Sequence, residues 1–169
     1  MAVRQINLRQ EITREDALSI VSWMEDHEVT RYLNELANIA VEIKNTISRM
    51  NTTIMTPLFS RNGSFYMICT GSNDPIGFLK LVHKTDEAEM VIVIGDRHRW
   101  GFGYGTQAIR HGLNMAFFHW RKTKVVAKIN PHNKRSIKAF ENSGFQFEKA
   151  LPQSKLYSIS LSDYMIKGN

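Results

Sequence analysis

The sequence is short of everything that staples, divides or anchors a chain. It has one cysteine, Cys69, so neither an internal disulfide nor a multi-cysteine metal site can form. Set in the apolar run FYMICT, that thiol is expected in the core. No segment repeats, no tract is rich in proline or serine, and only four prolines occur, so nothing marks a linker or a domain boundary. No window approaches the roughly 18 uninterrupted apolar residues of a membrane span. The opening MAVRQINLRQ has no apolar run of signal-peptide length. Six histidines occur without an H-x-x-x-H or H-E-x-x-H pattern, so no metal is expected. The expectation is one soluble, cytoplasmic domain over residues 1–169, with 43% hydrophobic content ample for a single core.

Acidic residues are missing where basic ones gather. From Arg97 to Phe140 there is no Asp or Glu, yet ten of the 22 Lys and Arg fall there: Arg97, Arg99, Arg110, Arg121, Lys122, Lys124, Lys128, Lys134, Arg135 and Lys138. The remainder holds twelve bases against all 16 acids, so the net charge of +6 belongs to this stretch. A segment of one sign attracts polyanions, either nucleic acid or a multiply phosphorylated small molecule, unless it is a solvated face without a ligand.

The pattern predicts a strand near Val3 to Leu8, then a helix capped by Thr13 with Glu15 and Asp16 in its first turn. That helix buries Ala17, Ile20, Val21 and Trp23 or Met24. A helical turn around Val29 to Leu33 and a helix from about Val41 to Ile54 follow, with Pro57 ending the helical part. Three strands, Ser64 to Thr70, Ile76 to Lys84 and Glu89 to Gly95, are separated by links short enough for antiparallel hairpins. From Tyr104 the period turns helical through Ile109, Leu113, Phe117 and Trp120. A strand (Lys124 to Ile129), a helix between Pro131 and Gly144, and two strand-like runs, FQFEKA and KLYSISLSDYMI, complete the chain. This order makes a mixed, mostly antiparallel α/β sheet flanked by helices.

Three glycines, Gly101, Gly103 and Gly105, separate the strand ending at Gly95 from the helix beginning near Tyr104. Glycine permits positive φ and close approach to the backbone. The first amides of a helix have no intrahelical partner, which makes strand, loop and helix an anion cradle. A P-loop is excluded because no Gly-Lys-Ser/Thr follows. G-x-G-x-x-A fits Gly103 to Ala108, but a dinucleotide fold needs an acid about 20 residues on, inside the acid-free stretch.

WGFGYGTQA together with VVAKINPHNKRSIKAFENSGF (Val125 to Phe145) resembles the Gcn5-related N-acetyltransferase (GNAT) superfamily. Its signature Gln/Arg-x-x-Gly-x-Gly/Ala falls on Trp100, Gly101, Phe102, Gly103, Tyr104 and Gly105, both glycine positions matching and Trp100 standing in place of Gln or Arg. A second motif, N-x-x-S-I-x-x-[YF]-E-x-x-G-F, is met by Asn133, Ser136, Ile137, Phe140, Glu141, Gly144 and Phe145. The segment from Leu8 to Glu35 is similar to the subgroup of ribosomal-protein N-terminal and spermidine acetyltransferases.

The resemblance implies an N-acetyltransferase fold whose fourth and fifth strands splay apart, with acetyl-CoA as cosubstrate and direct transfer to a primary amine. Ile92, Val93 and Ile94 would offer backbone groups to pantetheine, and Gly101 to Thr106 would hold the pyrophosphate. Asn130, Asn133 and Ser136 would lie beside the coenzyme, with Lys134 and Arg135 near its adenosine phosphates. Asn133 reads equally as a helix cap, and Phe140 and Ile137 equally as core. The amide of Val93 or a neighbour would serve the oxyanion, and Glu89 the amine proton, directly or through water. Glu89 as an ordinary exposed strand residue is the competing reading, and His111 and His119 read as surface or packing residues. Phe140 stands where many members carry a tyrosine that protonates the leaving thiolate, so Ser143, Tyr157 or solvent would have to serve, or proximity carry most of the rate. The acceptor would lie between Trp23 to Asn34 and the hairpin at Gln153 to Tyr157, with Glu25, Asp26 and Glu28 available to a cation. It is a protein N-terminus or a small amine, and a homodimer is compatible with the resemblance. A coenzyme-A sensor without turnover and a basic nucleic-acid-binding module are the competing classes.

Overall fold

The computed structural model describes residues 5–33 and 39–167. Val3 and Arg4 of the expected first strand, Asn34 of the expected acceptor segment, and Glu35 at the end of the segment that carries the subgroup resemblance lie outside the described residues. Seven strands form one sheet: β1 (Ile6–Arg9), β2 (Gly63–Thr70), β3 (Pro75–His83), β4 (Glu87–Ile94), β5 (Lys124–Ile129), β6 (Gln146–Ala150) and β7 (Lys155–Ser160), in the spatial order β1-β2-β3-β4-β5-β7-β6. The short links make β2, β3 and β4 antiparallel hairpin neighbours, as the spacing predicts, and β1 pairs antiparallel with β2 across the long helical connection. β5 runs parallel to β4 because the chain returns through a helix, the crossover that parallel pairing requires.

Helices cover both faces. One layer holds α1 (Arg14–Glu25), α2 (His27–Thr30), α3 (Ile39–Arg49) and α4 (Thr56–Phe59), with Ile20, Val21 and Ile47 packed on Phe65, Met67, Phe78 and Val93. Cys69 is fully buried in this core. The other layer is built around α5 (Tyr104–Asn114), whose Ala108, Ile109 and Leu113 pack on Leu79, Leu81 and Met90. α6 (Lys134–Asn142) and α7 (Leu161–Lys167) complete the helices. Successive side chains of β4 divide between the layers, Ala88 and Met90 on one side and Val93 on the other.

The start of α1 is tied down twice. The Thr13 hydroxyl accepts from Asp16 N–H at 3.1 Å and the Asp16 carboxylate accepts from Thr13 N–H at 2.8 Å, a reciprocal capping box. Arg9 at the end of β1 donates to both Asp16 carboxylate oxygens, at 2.7 and 3.1 Å, and to Glu11 O. Burial alone would push the Asp16 carboxyl up, but the Arg9 guanidinium and the two Thr13 bonds outweigh it and hold it below the usual range.

Four expectations are corrected. Pro57 does not end the helical part. It lies in the first turn of α4, where its fixed φ suits a helix start and its missing N–H costs nothing. The helix expected to Ile54 stops at Arg49, and Thr52 instead bonds locally, its hydroxyl accepting from Ile54 N–H at 3.3 Å. The helix from Tyr104 does not stay α-helical to Trp120. A π turn at Met115–His119 follows α5, with Trp120 N–H reaching back to Met115 O. The run expected as one last strand breaks at Ser160, whose hydroxyl accepts from Asp163 N–H at 3.1 Å and starts α7. The signal, Ser-x-x-Asp, is present in SLSD.

Gly77 is opposite Ile94 in the β3–β4 ladder, and a Cβ there would fall 2.1 Å from Val93 O and 2.9 Å from Ile94 Cα. Gly77→Ala is expected to displace β4 and cost about 1–3 kcal/mol, a loss of roughly 2–4 °C in Tm per kcal/mol, read by thermal unfolding. Asp16→Asn tests the Arg9 pair. Because the folded carboxyl is depressed, its contribution is complete above the unfolded value of about 3.9 and fades as pH falls through the lower folded value. Wild type should therefore exceed the variant by about 3 kcal/mol at pH 7 and the gap should close below about pH 4, measured by urea unfolding across pH.

Candidate active site

β4 and β5 hold together only at Glu87–Lys124, Ala88–Val125 and Glu89–Val126. Beyond this, β4 pairs only with β3 as far as Ile94, and β5 only with β7 as far as Ile129. The sheet thus opens in a wedge with strand backbone on its wall. Gly95 N–H donates to Ile76 O at 2.8 Å, and alternation along the ladder turns the N–H and C=O of Val93 towards Phe78 on β3. The same alternation turns those of Ile92 and Ile94 to the opening. Of the expected amide of Val93 or a neighbour, it is the neighbour Ile92 whose N–H faces the opening, while Val93 lines the cleft with its side chain.

Trp100 closes the wide end of the wedge. Its indole N–H donates to Ile94 O at 2.8 Å, which fixes the ring against β4. The Arg135 guanidinium of α6 lies over that ring, 3.4 Å from its centroid, a cation–π stack. Gly101 and Gly103 take φ of +83° and +82°, left-handed values that strain other residues, and Cβ atoms there would point into open space. Gly103 caps α5 with no side-chain bond, leaving its first amides without a side-chain acceptor. Gly105 has ordinary φ, and a Cβ there would meet Ala139 at 3.8 Å, ordinary contact. That is why Ala serves equally at this position of the signature.

These parts surround a cleft of about 350 Å³. Of the expected residues, Ile92, Val93, Ile94, Trp100, Gly101, Gly103, Tyr104, Gly105, Thr106, Asn133, Arg135 and Ser136 line it. Asn133 is at once the cap of α6, its side chain accepting from Ser136 N–H at 3.2 Å. Arg99 and Lys138, named from sequence only as members of the basic stretch, add positive charge, and no carboxylate is among the described lining residues.

The other expected residues lie elsewhere. Phe102 is 63% exposed, and Lys134 is exposed at the start of α6. Asn130 belongs to a turn, its side chain accepting from His132 N–H at 2.9 Å. Phe140 is in the core, edge-on to Phe145 at 4.9 Å. The Ser143 hydroxyl donates to Ala139 O at 2.9 Å, and Tyr157 is a core residue whose hydroxyl burial pushes up. His111 and His119 are exposed. Glu89 is not among the described lining residues of the cleft. It lies four residues before Val93, roughly 13 Å along the strand, and its carboxylate pairs with Lys128 at 3.3 Å.

A second cavity of about 300 Å³ opens on the α1–α3 side of the sheet, and Val93 and Leu33 line both. The expected acceptor segment supplies Met24 and Leu33, while the hairpin at Gln153 to Tyr157 supplies no described lining residue. Two of the three expected acids are paired, Glu25 with Lys44 at 3.9 Å and Asp26 with Arg97 at 3.0 Å.

Residues 5–146 match the family model of the acetyltransferase (GNAT) domain. An uncharacterized N-acetyltransferase, p20, of Bacillus licheniformis is 27% identical over 141 residues, 81% of this chain and 77% of that protein. The fold matches the aminoglycoside acetyltransferase AAC(6')-Ib in complex with coenzyme A at a TM-score of 0.80, with 15% identity over 98% of this chain and 100% of that one. It also matches spermidine N-acetyltransferase from Vibrio cholerae in complex with CoA and spermine, at a TM-score of 0.78 with 19% identity over 95% and 98% of the two chains. Since the family model spans well over half of the sequence, the chain belongs to the GNAT acetyltransferase family.

Proposed function

We propose that the protein transfers the acetyl group of acetyl-CoA directly to the primary amine of a small acceptor. The observation that carries this is the convergence on one cleft of unpaired β4 backbone, a left-handed glycine loop and the uncapped N-terminus of α5. The residues fit the coenzyme: the glycines leave open space where side chains would stand, and the lining charge is wholly positive among the described residues.

The coenzyme supplies an acyl thioester. The amides of the Gly103–Thr106 turn bind its pyrophosphate, with the helix end reinforcing them. Arg135 and Lys138 meet the remaining phosphate charge. The Ile92 amide faces the wedge and donates to the oxygen that gains charge as the acceptor nitrogen replaces sulfur on the acyl carbon. Ile94 O, already bonded to Trp100, anchors the loop instead. The ammonium acceptor gives one proton to solvent before it attacks and a second as the tetrahedral carbon collapses, which ends on the departing thiolate so that coenzyme A leaves as the thiol. Both pass through solvent, because no carboxylate lines the cleft among the described residues, Phe140 is buried in core and the Ser143 hydroxyl is committed to its own helix. Rate therefore comes from holding thioester and amine together across Val93.

Two measurements test this reading. In calorimetric titration with acetyl-CoA, Arg135→Ala should raise Kd about tenfold, the order expected for a charge-assisted contact. Trp100→Ala should match it and Trp100→Phe, which keeps a ring beneath the guanidinium, should cost less; unchanged affinity in all three would overturn the phosphate role of the stack. For the proton, Glu89→Gln should keep kcat/KM within about twofold and leave the pH–rate profile unmoved. A loss of about 100-fold or more is what removal of a general base produces and would restore Glu89 to that role.

A further inference from the structure

The cavity on the α1–α3 side differs from the cleft in character. Its wall is apolar and aromatic: Phe59, Phe65 and Phe78 follow one another with centroids 5.0 and 4.9 Å apart. Its charged lining residues among those described are Glu42, Arg61 and Lys80. Glu42 and Arg61 are exposed and offset one another in charge, whereas Lys80 is half-buried in the middle of β3, level with Phe65 and Val91. Its ammonium has no ion-pair or hydrogen-bond partner among the described residues. A half-buried ammonium without a partner among the described residues is free to pair with an anion that enters the cavity.

Building on the acetyl-transfer reading, we propose that the acceptor is a free α-amino acid with a large apolar or aromatic side chain, its carboxylate held by Lys80. The dimensions agree. Val93, which borders both cavities, is level with Phe78, two residues or about 7 Å along the strand from Lys80. A lysine side chain and the short backbone of an amino acid span that gap with the amine at the Val93 end. The side chain then lies on the phenylalanine row. At about 300 Å³ the cavity is at the small end of ligand sites, a size that suits an amino acid. A polycation also meets a lining of net positive charge there among the described residues.

The test is thiol release at saturating acetyl-CoA with phenylalanine, methionine, phenylalaninamide, spermidine and kanamycin, beside calorimetric binding of acetyl-CoA. Phenylalanine or methionine should exceed phenylalaninamide and both polycations at least tenfold in kcat/KM. Lys80→Met should raise KM for phenylalanine at least tenfold, leave phenylalaninamide within twofold and leave acetyl-CoA affinity unchanged, with Lys80→Arg restoring the amino acid. Equal turnover of phenylalanine and its amide, faster turnover of a polycation, or coenzyme binding without turnover of any of the five overturns the acceptor assignment alone. Failure to bind acetyl-CoA overturns the acetyl-transfer reading, and this one with it. The panel on the wild-type protein decides the matter even if the Lys80 variants do not fold.

Discussion

The site depends on one interrupted interaction: the parallel pairing of β4 with β5 lasts three residue pairs and then stops. A sheet interior normally leaves no strand backbone unpaired, because a buried polar group without a partner is costly. Here each strand keeps its other neighbour, so β4 stays straight on β3 and β5 on β7 while the gap between them opens. The wedge is thus held by the two antiparallel halves of the sheet. Everything the cleft offers follows from it: the Ile92 amide, the Ile94 carbonyl and a floor that carries Val93 between two cavities.

The wide end of the wedge is stabilised by a substitution. Where the family signature has Gln or Arg, Trp100 satisfies Ile94 O with its indole N–H and presents its ring to Arg135. A guanidinium is brought to the glycine loop from α6 instead of from the loop itself. The charge at the position is kept while its source moves from one element to another, and the loop and α6 become mechanically linked. The acid-free stretch from Arg97 to Phe140 acquires its meaning here, since its ends form the two sides of the cleft.

The other layer is organised by a different charge. Arg9 and Asp16 join β1 to the first turn of α1, so the helix that lines the second cavity is fixed at its origin. Such a pair gains from low local dielectric only because the Thr13 N–H donates to the same carboxylate. Lys80 has no equivalent partner among the described residues, and the contrast between the two buried-edge cations separates a structural charge from one available to a ligand.

Local rules were written in the residues themselves. The apolar runs FYMICT, IGFLKLVHK and EMVIVIG with turn residues between them, the Thr13 cap, the two glycine-bearing motifs and the charge asymmetry made the strands, most of the helices and the glycine loop legible, since each reflects contacts within a few positions of the chain. SLSD was legible too, but the apolar run before it masked the cap that starts α7. The tertiary structure alone decided the rest, because it concerns residues far apart in sequence. It set where β4 leaves β5, turned Ile92 and not Val93 to the opening, put Arg135 on Trp100, took Glu89 to Lys128, and gathered Phe59, Phe65, Phe78 and Lys80 into one chamber. No periodicity encodes these, because strand divergence and side-chain convergence are settled by packing between whole elements.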